Sequence, residues 1–259
     1  MAKLLVKLIL LLFCVQPLCA QNSLCVYKTK GTLLIEDKGI QTSLKKGALI
    51  NKNSLVHVLP QSELTTIDNN GNSYKVNVDG KYNFTNLLNF KVKHNKSSFT
   101  SSYFKHIWKE LTSSEGENTL IGGVFRGNLL MITPKDSCKL ASSKITLKWQ
   151  TLKDTKLYYV FIKNVETDAI LKIETNGSQL ALYNDNPLFY EGSHFEWAVT
   201  SNAFPNLNNL PYFSFELIDR NTYQEEKKLY KDFISDLKAM NLSEKEIENI
   251  LCETYGLCK

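Results

Sequence analysis

Four histidines, His57, His94, His106 and His194, are the side chains of this 259-residue chain best suited to moving protons near neutral pH. No GxSxG elbow and no recognisable pair of carboxylates accompanies them, so a hydrolytic site would have to be assembled from residues distant in sequence, with His57 or His194 at a cleft between domains. His194 precedes Phe195 on an alternating strand and is expected on the opposite, solvated face. Of the six cysteines, four (Cys25, Cys138, Cys252 and Cys258) follow residue 20. An even number in an exported chain points to disulfides with three possible pairings, and the closest pair, Cys252 and Cys258 in CETYGLC, brackets a turn-forming Gly256. Zinc would need further ligands, and no CxxC or HxxxH spacing occurs.

Other motifs fail on their own requirements. TIDNNGNSYKVN, aligned on Gly71 as a calcium loop, lacks acids at Thr66 and Asn77 and is better explained by an Asn70-Gly71 turn. Gly122, Gly123 and Gly127 lack the Lys-Ser/Thr ending of a phosphate loop. Lys91, Lys93, Lys96, Lys105 and Lys109 interleave with Phe90, Phe99, Tyr103, Phe104 and Trp108, as in single-strand nucleic-acid binders. The spacing of Tyr103, Phe104, Ile107, Trp108 and Leu111 is instead that of an amphipathic helix, capped by Ser101 or Ser102 and packed on a preceding sheet. With Arg126 and Arg220 the chain's two arginines, its basic surface is mostly lysine, which favours solvation over phosphate or base recognition. No cofactor, metal or nucleic-acid partner is expected.

The elements that would position any site are mostly strands. Ile145, Leu147 and Trp149 alternate with polar residues, as do Tyr158, Val160 and Ile162, and Phe195, Trp197 and Val199. Three further short strands, near 170–174, 179–183 and 212–217, are spaced by turn signals such as Asn176-Gly177. Together they predict a β-sandwich over residues 129–219, with Trp149, Tyr158, Phe195 and Trp197 as core aromatics between two sheets. Residues 21–112 read as a series of short strands followed by the amphipathic helix. Ser113–Asn118 is nearly free of apolar residues, which marks 113–128 as a linker.

After Arg220 the period lengthens to about 3.6. Leu229, Phe233 and Leu237 fall on one stripe with Tyr230, Ile234 and Met240 beside it, and Ser243 with Glu246 forms a capping box before a second helix ended by Gly256. A C-terminal helix pair over 220–259 is expected. At the other end, Lys3 and Lys7, the apolar run from Leu8 to Val15, Pro17 and Ala20 have the order of a secretory signal peptide spanning 1–20, which places the mature chain in the periplasm or outside the cell. No later segment has the length of a transmembrane run.

Trp149, Tyr158, Val160, Ile162, Gly192, Phe195, Trp197 and Val199 together resemble the fibronectin type III-like domains of bacterial envelope proteins, a relative of the immunoglobulin sandwich without its intersheet cysteines. Gly31, the Leu44–Ile50 segment LKKGALI, and the strands and turn from Ser62 to Val76 resemble the FecR-like domain. Iron-sensing FecR proteins add a membrane helix and a segment that contacts a sigma factor, features this chain does not share, so that role is not carried over. The resemblances imply a mainly β, non-catalytic envelope protein that binds or senses another protein or polymer. The competing expectations are an exported hydrolase acting on envelope glycan or peptide, and a carbohydrate-binding module using exposed rings among Tyr183, Phe189 and Tyr190.

Overall fold

The computed structural model describes residues 23–93, 98–112 and 130–259. The expected signal peptide at 1–20, the expected linker at 113–128, His94 and the glycines of the phosphate-loop motif lie outside the described residues. The chain is mainly β, with several antiparallel sheets and a C-terminal helix cluster, and it divides into two compact units, Met1–Glu115 and Gly116–Lys259.

In the first unit, β1 (Leu24–Lys30), β4 (Leu49–Ile50), β6 (Glu63–Ile67) and β7 (Ser73–Val76) form one antiparallel sheet in the order β4-β1-β6-β7. A second sheet takes β2 (Leu33–Asp37), β3 (Ile40–Ser43), β5 (Leu55–Val58) and β8 (Gly80–Asn83) in the order β3-β2-β5-β8. Leu24, Val26, Leu33, Ile35, Val56 and Leu64 share the core between them. The sequence runs continuously from Val26 to Asp37, yet the chain changes sheets at Gly31. That residue has φ +77°, and a Cβ there would lie 2.5 Å from Ser62 Oγ, which accepts from Thr32 N and donates to Thr32 O. After the short helix α1 (Phe84–Leu88), the helix α2 (Ser98–Thr112) buries Tyr103 and Phe104, whose rings meet Tyr27 edge to face at 6.5 and 5.5 Å. Lys105 and Lys109 stay exposed, as an amphipathic helix requires.

The second unit is a β-sandwich with helices. Its smaller sheet is β14-β11-β9, built from β9 (Met131–Thr133), β11 (Lys144–Trp149) and β14 (Gln179–Tyr183). The larger sheet has the order β13-β12-β15-β16-β10-β17, from β10 (Cys138–Leu140), β12 (Tyr158–Asn164), β13 (Ile170–Thr175), β15 (His194–Thr200), β16 (Phe213–Leu217) and β17 (Leu257–Cys258). The chain crosses between sheets five times, from β9 to β10, β10 to β11, β11 to β12, β13 to β14 past Asn176 and Gly177, and β14 to β15, and β10 runs parallel to β16. Inward-facing Trp149, Tyr158, Phe195 and Trp197 are at most 2 % exposed and fill the space between the sheets. Trp149 tilts against Tyr158 at 6.0 Å, Phe195 stacks on Phe215 at 5.5 Å, and the Tyr158 hydroxyl accepts from Leu152 N at 2.7 Å.

Beyond β16 the chain forms three helices rather than the expected two: α3 (Arg220–Lys228), α4 (Lys231–Ala239) and α5 (Glu244–Tyr255). The stripe Leu229–Phe233–Leu237 is broken at its first member, since Leu229 is 72 % exposed while Phe233 and Leu237 are buried. Leu229 N and Tyr230 N bond three residues back, to Glu226 O and Lys227 O, so the last turn of α3 tightens and the chain restarts in a new direction. The break lets Tyr223 on α3 and Phe233 on α4 both be buried. Ser243 and Glu246 make the reciprocal capping box at the start of α5, and Gly256 ends it with φ +68°. Cys252 and Cys258 are joined in a disulfide, Cα–Cα 4.2 Å, which ties α5 to β17. The C-terminal segment therefore completes the larger sheet of the sandwich.

Candidate functional site

His194 stands at the start of β15 beside the nearest approach to a catalytic constellation among the described residues. Its Nδ1 lies 2.9 Å from Glu166 Oε1 and 3.0 Å from Ser193 Oγ. A hydrolytic triad needs the carboxylate on one ring nitrogen and the nucleophile on the other, whereas here both meet the same nitrogen. The carboxylate has a different task. Glu166 Oε1 also accepts from Ser193 N and His194 N, each at 3.0 Å, and these bonds together with the His194 ring hold its carboxyl down to about 2. Gly192, at φ +75°, passes so close that a Cβ would lie 2.5 Å from Glu166 Oε2. Glu166 is thus a clamp on the turn into β15, and the imidazole is 60 % exposed beside it.

His57, on β5, meets Glu36 on the neighbouring β2, Nε2 to Oε2 3.1 Å, a cross-strand contact within one sheet. His106 pairs with Glu110 one turn along α2. Among the described residues, no group of three or more His, Cys, Asp or Glu side chains has the arrangement to hold a metal. In the turn that faintly resembles a calcium loop, Asp68 is occupied by the protein itself. It accepts from Asn70 N, Asn72 N and Asn72 Nδ2, and from the Tyr74 hydroxyl at 2.9 Å. Burial and that bond raise the Tyr74 pKa. Cys25 and Cys138 are free and buried, and burial pushes both thiols up to about 11.

Among the described residues, the most exposed large apolar side chain lies elsewhere, on the outer face of the larger sheet. Phe204 is 89 % exposed, in the loop between β15 and β16. It is held in place. Phe204 N donates to Asn202 Oδ1, Asn202 N donates to Thr200 Oγ1, and Lys172 Nζ of β13 donates to Ala203 O. The same ammonium lies 4.6 Å from the Phe204 ring centroid, 4.9 Å from Tyr159 and 5.7 Å from Phe161. Phe161 points outward from β12 yet is buried, with the Lys172 ammonium of the neighbouring strand over its ring. Ile170, 43 % exposed, shares the outward-facing positions of β13 with Lys172 and Glu174. β13 pairs with β12 on one side only, so among the described residues its other edge has no strand partner.

Of the rings considered for a carbohydrate platform, Tyr183 and Tyr190 are exposed at 54 % and 69 %, while Phe189 is buried edge-to-face on Phe195 at 5.0 Å. The platform is thereby reduced to two rings. Glu166, Lys172 and Phe204 belong to no recognisable sequence motif. An available clue was the Phe in SNAFPNLNNLPY, an aromatic side chain before a proline in an otherwise polar loop. Among the described residues, no helix is long and apolar enough to cross a membrane. No protein-family model matches the chain, and no curated protein matches it at a significant level.

Proposed function

We propose that this is an exported, non-catalytic protein of the cell envelope that holds another protein through the outer face and open edge of β13. One observation carries the reading: Phe204 is 89 % exposed, with its backbone N–H bonded to Asn202 Oδ1 and the Lys172 ammonium 4.6 Å from its ring centroid. A large apolar ring left in water costs free energy in the free chain, and an exposed aromatic side chain can serve as the anchor of an interface. The adjoining edge of β13 offers backbone donors and acceptors to an extended segment of a partner, so that an added strand would lie beside Ile170 and Phe204. Export rests on the residue order of positions 1–20. The non-catalytic character is supported by the task of each described histidine–acid pair. His57–Glu36 joins two strands, His106–Glu110 one helix turn, and His194–Glu166 a backbone turn.

The test is chemical crosslinking in intact cells of the native host, comparing the wild-type protein with Phe204→Ala. A discrete protein adduct that is lost or strongly reduced in the variant, at equal protein levels, is the expected result. If no protein adduct forms while the purified chain degrades an envelope glycan or peptide, and His194→Ala or His57→Ala abolishes that activity, the protein is the hydrolase considered above.

A further inference from the structure

The open edge of β13 has a residue pattern that selects what lies beside it. Just before the strand, Asn164 N donates to Ala169 O at 2.9 Å, in line with the register that sets Lys163 opposite Ile170. Backbone groups alternate in direction along a strand. Leu171, Ile173 and Thr175 therefore bond to β12, and the N–H and C=O groups of Ile170, Lys172 and Glu174 point to the open edge. The side chains of those three residues stand on the outer face, while Leu171 and Ile173 pack against the sandwich core and remain partly exposed. Among the described residues β14 is also paired on one side only, and residues 176–178 join it to β13. Both sheets thus end unpaired along one flank of the sandwich.

Along that edge the outward side chains are an apolar group, a cation and an anion in turn: Ile170, Lys172 and Glu174. Glu174 is exposed and forms no ion pair among the described residues. The Lys172 ammonium donates to Ala203 O and has further N–H groups to give. Turned about a two-fold axis normal to the sheet, this pattern is its own complement. With Ile173 facing Ile173 of a second copy, each Lys172 stands opposite the other copy's Glu174, and both residues present their backbone groups to the shared edge. Opposite charges so placed attract. The smallest slip that keeps the side chains on their faces is two residues, and it sets Lys172 against Lys172 or Glu174 against Glu174, where like charges repel. Charge therefore selects one register of self-pairing and penalises its neighbours on both sides.

We infer that the strand added to β13 is β13 of a second copy of this chain, antiparallel and centred on Ile173, with Lys172 and Glu174 paired across the junction. This names the partner in the proposed function and rests on that reading. The test is sedimentation of the purified mature chain over a range of concentrations, beside Glu174→Lys, Lys172→Glu and an equimolar mixture of the two variants. The wild type should form a concentration-dependent dimer. Each variant meets itself only through like charges, so its dimer should weaken about tenfold or more. In the mixture every contact is again Lys opposite Glu, and the dimer should return, which also shows that both variants are folded. Hydrogen exchange at the Ile170, Lys172 and Glu174 amides of the wild type should slow as its concentration rises. The inference is overturned if the wild type stays monomeric throughout, if its dimer is indifferent to both reversals, or if the mixture fails to restore it. A monomer whose position 204 still crosslinks to a different protein in cells overturns self-pairing and leaves the β13 reading standing. A monomer with no adduct at that position defeats both.

Discussion

Glu166 accepts from two consecutive backbone amides and from the His194 ring, and a neutral carboxyl would give up most of that attraction. Its carboxyl sits at about 2 in place of the ordinary 4.5, so the clamp is fully present above pH 4.5 and is lost as the pH falls toward 2. Hydrogen exchange at Ser193 and His194, corrected for intrinsic rates, should show protection falling across that window, and Glu166→Gln should flatten the profile. An unchanged profile in the variant would assign the protection to β15 itself. The thiols follow the opposite logic: with both raised to about 11 by burial, Cys25 and Cys138 should resist alkylation at pH 8 in the native chain and react in denaturant, as read by mass spectrometry. None of these partnerships is legible in sequence. Glu166 and His194 are 28 residues apart, and Lys172 and Ala203 are 31 apart, so they meet only through the pairing of β12 with its neighbours.

The elements divide by how strongly their pattern is written. Strands β11, β12 and β15 were readable because each places three apolar side chains on one face at period two, and a slip of one residue would expose Trp149 or Trp197. The start of α5 was readable because its cap is local chemistry between Ser243 and Glu246. The break between α3 and α4 was not, because Leu229 fits the helical stripe by spacing and is displaced only by the tertiary demand to bury Tyr223 and Phe233. Strand β17 has two residues and carries no period at all. It depends on its neighbours, since Lys139 N donates to Gly256 O and Ala141 N to Cys258 O. The disulfide should therefore matter most there. Replacing Cys252 and Cys258 by Ser is expected to cost about 2 kcal/mol in urea unfolding, with the Lys139 and Ala141 amides losing exchange protection first. A variant with unchanged midpoint and unchanged exchange would show that α5 and β17 dock without the bridge.

At the scale of the whole molecule, each unit has its own core, one centred on Leu24, Val56 and Leu64 and the other on Trp149, Phe195 and Trp197. Expressed separately as the described part of the first unit, from residue 23 to Glu115, and as Gly116–Lys259, each is expected to give dispersed amide spectra and a cooperative melt of its own. A molten spectrum from either would mean that its core is completed by the other unit. The sequence foretold two β units and the aromatic filling of the sandwich because those properties repeat along the chain. It left the Phe204 and Lys172 cluster unread because a single exposed ring has no periodicity to announce it. The claim that this cluster receives a partner is tested most directly by placing a photo-crosslinking amino acid at position 204 and irradiating intact cells, with position 183 on the opposite sheet as the control. A discrete protein adduct from position 204, absent from position 183, is the predicted result; no adduct at 204, or equal and diffuse labelling from both positions, would contradict it.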